Sequence, residues 1–329
     1  APSGVQPETA RMDESRAESQ NEMPRCGACD EPLAGGVGAE RISVPDHEYR
    51  TPVRVEYHTC ASCQSLTQVP MPDATQLATF YVPGYHSFAA GEAGRLARWK
   101  HRSRLAGLRP LLRDASEPLL DFGCGGGQFL FAAAEIIPNP LFGFEIAEDE
   151  AIDRHRDGRV VLIRGSVDFL VEALPKLRLV TMNHVIEHLP DPANTFRKLS
   201  ERMLPGGIFE GQTPNPASLE RWLFGPRWSG YHAPRHTVIF SPAGVRALFA
   251  RLGIDDCPVR PAFNPAGIAV SLLSLRNGSE GGSIPRTGLS WYAGLAAACF
   301  GYPIERLANS PGMIDFVART HDEAVKALG

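Results

Sequence analysis

The sequence lacks an excess of charge of either sign. Its 329 residues include 33 Lys and Arg against 37 Asp and Glu, for a formal net charge of -4. Without a broad basic face, the electrostatic attraction that drives binding to a phosphate backbone is missing. We therefore expect no nucleic-acid partner. The apolar share of 43% is ordinary for a globular domain, which favours a structured enzyme.

A secretion signal and a membrane-spanning apolar run are also lacking. Residues 1–24 are polar and contain Pro, Glu and Ser, which predicts a disordered tail. The apolar run at 289–308 is short and carries Glu305 and Arg306, so a packing helix is favoured over a membrane span. No internal repeat is found. These features together predict a cytoplasmic protein.

Four of the seven cysteines form two close pairs. Cys26-x-x-Cys29 and Cys60-x-x-Cys63 are separated by 30 residues. Two such knuckles supply four thiolates for a closed tetrahedral zinc site, which leaves no position for water and indicates a structural role. Free core cysteines or a redox pair are the alternatives, but a redox motif rarely occurs twice in one chain.

The distribution of short apolar runs predicts an α/β fold. Residues 25–74 are rich in Gly, Pro and short β-type runs, which predicts a small zinc ribbon, and 75–115 predict a helical linker or cap. From 116 to 329, strand-like runs alternate with helical spacers, which predicts βαβ units and a doubly wound, mostly parallel sheet. The predicted strands are 118–122, 141–145, 160–164, 177–183, 207–213 and 313–319.

Two later segments are less regular. Residues from about 214 to 240 contain Pro, Trp and His, and a long irregular segment at this position predicts a cover over the active site. A helix over 241–252 follows, starting at Ser-Pro. Residues from about 261 to 312 predict only a C-terminal helical segment.

A glycine cluster follows the first predicted strand of the α/β domain. Asp121 ends that strand, and Gly123, Gly125 and Gly127 lead into a helix. Glycines there permit a tight turn and close approach of a ligand to the backbone. A dinucleotide site prefers G-x-G-x-x-G, whereas the sixth position from Gly123 is Gln128, which argues against NAD. An ordinary strand-to-helix turn is the other interpretation.

The pattern Asp121-x-Gly-x-Gly-x-Gly resembles motif I of class I S-adenosylmethionine-dependent methyltransferases. The resemblance extends over roughly residues 26–252, and it implies a Rossmann-like fold and S-adenosylmethionine as cofactor. The family places an acidic residue after the second strand, and Glu145 matches it as an acceptor for the ribose hydroxyls. Asp168 is expected either to accept from the adenine amino group or to cap a helix. The implied cofactor-binding residues are Tyr81, Asp121, Gly123, Cys124, Gly125, Glu145, Ile146, Ser166, Val167, Asp168 and Asn183.

A zinc ribbon ahead of such a domain is similar to one subset of the family. This subset includes deoxysugar C-methyltransferases and enzymes of natural-product and polysaccharide clusters. A Pro-rich, Tyr-containing segment joins the two units, as residues 70–85 do here. The resemblance implies that Tyr81 or Tyr85 approaches the sulfonium or the substrate. Packing of the two units against each other is the alternative role for these tyrosines.

Methyl transfer requires in-line alignment of nucleophile and methyl group and, for an oxygen or activated carbon acceptor, removal of a proton. The catalytic candidates are His236, His188, His184 and Tyr85, with His236 first. The sugar C-methyltransferases carry Glu-His where this chain has Arg235-His236. Arg235 therefore suggests an acceptor with a carboxylate or phosphate. The predicted substrate-binding residues are Trp228, Tyr231, His232 and Arg235, although the aromatic ones suit the underside of a loop equally well.

These patterns predict methyl transfer from S-adenosylmethionine to a small-molecule acceptor, a sugar or specialised metabolite, on oxygen, nitrogen or carbon. Two alternatives stay open: methylation of a protein or RNA docked by the ribbon, and a non-catalytic scaffold. The acidic composition counts against RNA.

Overall fold

A computed structural model describes residues 23–33, 40–81, 95–112, 114–276, 284, 286 and 288–321. Tyr85 lies outside these ranges. Within them, the strands form one four-stranded and one eight-stranded sheet. No helix of the described residues is both long and apolar enough to cross a membrane.

The smaller sheet contains the cysteine pairs and is antiparallel. Its strands β1 (Arg41–Pro45), β2 (Arg54–Thr59) and β3 (Leu66–Val69) follow each other in the chain. A fourth strand, β10 (Val238–Ile239), comes from the segment predicted to cover the active site and pairs with β3. The ribbon sheet is therefore completed by the main domain.

The larger sheet has the order β11-β12-β9-β8-β4-β5-β7-β6. Strands β4, β5, β7, β8 and β9 run parallel, whereas β6 and β12 run antiparallel to their neighbours. The predicted doubly wound, mostly parallel sheet is thus confirmed. The strand bounds are β4 (Leu119–Phe122), β5 (Leu141–Ile146), β6 (Ala151–His155), β7 (Val160–Gly165), β8 (Leu177–Asn183), β9 (Met203–Pro214), β11 (Val259–Ala262) and β12 (Met313–Arg319).

Most of the α-helices begin at a residue whose side chain accepts from the first turn. Asp73, Ser166, Asp191, Ser218 and Ser241 act in this way and satisfy amides that have no partner inside the helix. The helices of the described residues are α1 (Ala74–Thr79), α2 (Arg95–Leu108), α3 (Gln128–Ala133), α4 (Val167–Ala173), α5 (Pro192–Ser200), α6 (Leu219–Phe224), α7 (Pro242–Ala250), α8 (Pro265–Arg276) and α9 (Leu289–Leu307).

Two apolar cores cover the two faces of the eight-stranded sheet. Leu119 of β4 packs with residues of α2 and α3, whereas the next residue, Leu120, packs with residues of α4, α5 and α7. Buried parallel strands are apolar on both faces for this reason. The chain moves from β4 to one side of the sheet and later to the other, so the carboxyl ends of β4 and β8 border a topological switch point, where ligands bind in such folds.

Candidate active site

The glycine loop after β4 has the conformation that only glycine adopts readily. Gly123, Gly125 and Gly127 have φ values of 76°, 53° and 75°. A Cβ on Gly123 would lie 2.5 Å from Val185 Cγ2, so a side chain there is excluded by space as well. The amides of Gly123 and Cys124 both donate to the carbonyl oxygen of Phe144, at 2.8 and 2.9 Å, which fastens the loop to β5.

Glu145 at the end of β5 faces this loop. Its Oε2 accepts from the amide of Gly125 at 2.8 Å. Burial raises the pKa of the Glu145 carboxyl, while the bond from the Gly125 amide opposes that shift. The next residue, Ile146, is 57% exposed. A half-buried carboxylate beside the loop fits the acceptor that the hydroxyls of a ribose require.

A cation that sequence reasoning missed lies at the switch point. Arg104 projects from α2, and its Nη2 lies 3.6 Å from both Asp121 Oδ1 and Glu210 Oε2. The Asn183 amide, turned so that its oxygen faces the guanidinium, accepts from the same side chain. Burial raises the pKa of Glu210 to about 7. Side chains from three strands, β4, β8 and β9, therefore surround the positive charge of Arg104.

Asp121 is tied to the sheet as well as to Arg104. Its Oδ1 accepts from Thr181 Oγ1 at 2.6 Å, and it is 6% exposed. Burial raises the pKa of this carboxyl, and the nearby guanidinium and the Thr181 hydroxyl oppose the shift. No spacing in the sequence marks Arg104 or Thr181 as partners of Asp121, because the contacts come from different elements.

The turn after β7 places the predicted adenine-binding residues at the start of α4. Ser166 caps the helix, with its Oγ accepting from the amide of Phe169 at 3.1 Å. Val167 and Asp168 form the first turn, and Asp168 pairs with Lys198 of α5. The cap position expected as an alternative for Asp168 is thus filled by Ser166.

Three histidine rings pack together behind the end of β8. The centroid of the His236 ring lies 4.6 Å from that of His188 and 5.0 Å from that of His232. Nδ1 of His236 lies 2.8 Å from the carbonyl oxygen of Gly230 and donates to it, which leaves a lone pair on Nε2. Burial lowers the pKa of His236 well below its ordinary value and lowers the pKa of His188 to about 4. The imidazoles of His188 and His236 are therefore neutral near pH 7.

Glu187, which follows β8, lies between two of the histidines. Its Oε1 lies 3.6 Å from His184 Nδ1 and 3.9 Å from His236 Nε2. That oxygen is buried and has no hydrogen-bond partner among the described residues, whereas Oε2 accepts from Thr213 Oγ1 at 2.9 Å. His184 is 41% exposed and has a φ of 55°, so it lies at the solvent side of this cluster.

Tyr81 reaches the same cluster from the end of the ribbon segment. Its hydroxyl lies 3.0 Å from His188 Nδ1, and burial raises the pKa of the phenol. Tyr81 thus lies near the histidines, as a role at the sulfonium or substrate requires. The placement of Tyr85, the other predicted tyrosine, is outside the described residues.

The structure differs most from the sequence prediction at Arg235 and its neighbours, which were predicted to bind the substrate. Arg235 is fully buried, and its Nη2 donates to Asp46 Oδ2 at 2.9 Å while its guanidinium lies over the ring of Tyr49. His232 Nδ1 lies 2.7 Å from Glu48 Oε2. These side chains join the segment to the ribbon. Arg235, predicted to bind an anionic group of the acceptor, therefore forms a buried ion pair with Asp46 instead.

The aromatic residues of this segment are buried in the same way. Trp228 and Tyr231 are each 2% exposed, and their ring centroids lie 5.2 Å apart. Tyr231 also packs against Tyr57 of the ribbon, with centroids 5.5 Å apart. They form the underside of the segment, the second of the two roles predicted for them, because ribbon side chains cover them.

The four paired cysteines converge on one point. Sγ of Cys26 lies 3.6 Å from that of Cys63, Sγ of Cys29 lies 3.5 Å from that of Cys60, and all four lie within 4.8 Å of each other. Sulfurs about 3.8 Å apart surround a tetrahedral zinc with Zn–S bonds of about 2.3 Å, and a disulfide would need about 2 Å. The four thiolates fit a structural zinc ion.

The two cysteine knuckles have the same local geometry. The carbonyl oxygen of Cys26 accepts from the amide of Asp30, and that of Cys60 accepts from Gln64, both at 2.9 Å. Asp30 and Gln64 have φ values of 66° and 62°. Each loop thus turns its two sulfurs to one side, as a shared metal requires.

Comparison with known proteins agrees with this geometry. Residues 91–256 match a family described as a methyltransferase domain. A probable S-adenosylmethionine-dependent methyltransferase of Mycolicibacterium smegmatis is 28% identical over 174 residues, which span 52% of this chain and 65% of that protein. The ubiquinone biosynthesis O-methyltransferase of Nitrosospira multiformis is 28% identical over 172 residues, spanning 49% of this chain and 72% of that protein.

Comparison with solved structures gives alignments of low sequence identity. A SAM-dependent methyltransferase from Archaeoglobus fulgidus aligns at 21% identity and a TM-score of 0.41, over 68% of this chain and 94% of that one. The family match itself covers half of the present sequence, including the glycine loop, Glu145 and the histidines at 184 and 188. The chain belongs to the class I S-adenosylmethionine-dependent methyltransferase domain family.

Proposed function

We propose that this protein transfers the methyl group of S-adenosylmethionine to a small-molecule acceptor. The observation that carries the proposal is the pairing of Glu145 with the glycine loop, in which the carboxylate lies 2.8 Å from the Gly125 amide. This arrangement offers an acceptor for ribose hydroxyls beside a loop that a ligand can approach closely.

Three groups at the switch point would hold the amino-acid part of the donor. Arg104 supplies a partly buried guanidinium for its carboxylate, and Asp121 and the Asn183 amide supply acceptors for its ammonium. When bound, S-adenosylmethionine supplies a methyl group activated by a positively charged sulfur. The residues of this chain then align the acceptor and take its proton.

His236 is the proposed base. Because its Nδ1 donates to Gly230, the lone pair of Nε2 is free to accept a proton. Glu187 Oε1, 3.9 Å away, stabilises the imidazolium that results. His184 and His188 border the same carboxylate and ring, and they position the acceptor at the end of β8.

The acceptor class follows from the groups that the site offers. Arg235 is paired with Asp46, so it is not available to an anionic acceptor, and Arg104, the cation beside Asn183 at the end of β8, is assigned to the carboxylate of the donor. We propose a neutral hydroxyl- or amine-bearing metabolite, such as a sugar derivative, in place of the carboxylate or phosphate expected from the sequence.

Two measurements test this function. Isothermal titration calorimetry should show binding of S-adenosylmethionine and S-adenosylhomocysteine, and a screen of sugar and metabolite acceptors with radiolabelled methyl donor should show transfer. His236→Gln should lower turnover by about two orders of magnitude with cofactor affinity unchanged. His155→Gln, an exposed histidine on β6, is the control. Binding without transfer to any acceptor class would favour a non-catalytic scaffold, and absence of binding would reject the function.

A further inference from the structure

Helix α9 has one face that packs and one that does not. Its buried residues are Gly294, Ala298 and Glu305. A Cβ on Gly294 would lie 2.9 Å from Ala269 of α8, so the two helices touch closely along this face. The packed face is therefore occupied, and within the described part of the chain the opposite face is left to solvent.

That opposite face bears a stripe of exposed apolar side chains. Leu289, Phe300 and Leu307 are 86%, 81% and 89% exposed, far above what packed leucine or phenylalanine shows. The stripe contains five large side chains and one small one, at spacings of 3, 4, 4, 4 and 3 residues: Leu289, Tyr292, Ala296, Phe300, Ile304 and Leu307. On an ideal helix with about 100° of rotation per residue, these six side chains lie within an arc of about 120°. Pro303 lies inside the helix, between Phe300 and Ile304. That arc is centred opposite Ala298.

The spacing of this stripe reads the same in both directions along the helix. Its midpoint falls at Ala298, between Ala296 and Phe300. A two-fold axis through this midpoint would bring each member against another member of the stripe on a second, antiparallel copy. Leu289 would then meet Leu307 of the partner subunit, and Phe300 would meet Ala296 of the partner subunit. Self-complementarity of this kind is what a two-fold interface requires.

The small residue of the stripe suits such a pairing. Ala296 is exposed and lies one turn before Phe300, so the stripe has a shallow position next to its most exposed ring. In the antiparallel arrangement each Phe300 ring enters the space above Ala296 of the partner subunit. Large side chains facing small ones allow two helices to interdigitate without leaving voids.

We propose that α9 is the interface of a homodimer in which two copies pair antiparallel along this stripe. Isolated exposed apolar residues are ordinary, but a continuous stripe at helical spacing indicates a partner. Five large side chains, at roughly 150 Å² each, present on the order of 700 Å² per subunit. Specific interfaces bury roughly 600–1,000 Å² per partner, and the area of the stripe lies within that range. The dimer does not depend on the methyl-transfer chemistry.

A lipid surface is the competing occupant, and the charge of the helix disfavours it. Helices that lie on a membrane carry several Lys or Arg beside the apolar face, whereas α9 carries Arg306 as its single cation. This composition suits a helix partner.

Sedimentation velocity and light scattering on the full chain test the pairing. The wild-type protein should have twice the monomer mass of 35.7 kDa. Phe300→Glu should raise the dimer dissociation constant by about a hundredfold or more, because it buries two unpaired carboxylates near the two-fold axis. Trp222→Glu, on α6 and 79% exposed, should leave the dimer intact. Both variants should keep wild-type affinity for S-adenosylmethionine, which shows that they fold.

A crosslinking experiment fixes the orientation. In a Cys299→Ser background, Leu289→Cys combined with Leu307→Cys should give an oxidised dimer in which peptide mapping finds the two positions linked to each other. Self-linkage of each position would indicate parallel pairing and overturn the arrangement. A monomeric wild-type protein, a dimeric Phe300→Glu variant, or a monomer that sediments with phosphatidylcholine vesicles would overturn the dimer.

Discussion

The hydroxyl of Tyr57, in the middle of the ribbon sheet, donates to the backbone carbonyl oxygen of His236 at 2.6 Å. Tyr57 is fully buried, and the second oxygen within reach of its hydroxyl is the Tyr231 carbonyl at 3.3 Å. The ribbon therefore sets the backbone position of the proposed base. This hydrogen bond, together with the pairing of β3 and β10, connects the ribbon to the proposed base.

Tyr57→Phe tests this link. Loss of the hydroxyl leaves a buried carbonyl without its donor, at a cost of about 1–3 kcal/mol in unfolding free energy. We expect kcat to fall about tenfold, because His236 is less well positioned, while calorimetric affinity for S-adenosylmethionine stays at the wild-type value. Tyr292→Phe, on the exposed face of α9, is the control. Unchanged kcat in Tyr57→Phe would show that the bond serves folding alone.

The cysteine site should stabilise the same contact. Cys60→Ser removes one of four thiolates, so the protein should lose zinc and its thermal midpoint should fall. Because β3 of the ribbon pairs with β10 next to His236, turnover should fall together with zinc content. Cys299→Ser, which changes an exposed cysteine, should retain one zinc per chain by elemental analysis. An intact protein without zinc would reject the metal site.

Much of this fold can be predicted from the sequence, because buried parallel strands are short apolar runs between helical spacers. The apolar run at 177–183 predicts the bounds that β8 has, and the run at 313–319 predicts those of β12. The pairing of Val238 and Ile239 with β3 is not predictable, since a two-residue strand has no periodicity and its partner lies far away in the chain.

In the site, too, the residues that local sequence identifies were predictable, and those that depend on distant contacts were not. Glu145 follows from its position after a strand, whereas Arg104 is one of several arginines in α2 and its sequence neighbours give no reason to choose it. The prediction for Arg235 is wrong because burial of a guanidinium depends on Asp46, which the ribbon brings from nearly two hundred residues away. Contacts between residues so far apart in sequence depend on how the ribbon packs against the main domain, and no local sequence pattern predicts them.

Arg104 and Glu145 can be distinguished by ligand. If Arg104 binds the donor carboxylate, Arg104→Gln should weaken S-adenosylmethionine about 10- to 100-fold and leave 5′-methylthioadenosine, which lacks the amino-acid part, unaffected. Glu145→Gln should weaken both ligands to a similar degree, since both contain the ribose. Titration calorimetry measures these affinities, with Glu172→Gln on α4 as the control. Equal loss of both ligands in Arg104→Gln would place that residue in folding.

The histidine cluster should make stability depend on pH. Burial lowers the pKa of His188 to about 4, against about 6.5 in an unfolded chain. Between these values the unfolded chain binds a proton that the folded protein does not, so this histidine favours the folded state fully only above about pH 6.5. That contribution is lost as the pH falls toward 4, by up to about 1.4 kcal/mol per pH unit.

Glu210 changes the stability of the fold with pH in the opposite direction to His188, over an overlapping range of pH. Burial raises its pKa to about 7, so its contribution is present at low pH and is lost as the pH rises through 7. The two effects partly cancel in the wild-type protein. The informative quantity is therefore the difference in the pH dependence of the unfolding free energy between a variant and the wild type. Urea unfolding of His188→Gln should show a smaller loss of stability from pH 6.5 to 4.5 than the wild type does. His155→Gln should match the wild type, and a His188→Gln curve that runs parallel to the wild-type curve at all pH values would mean that folding does not lower the pKa of His188.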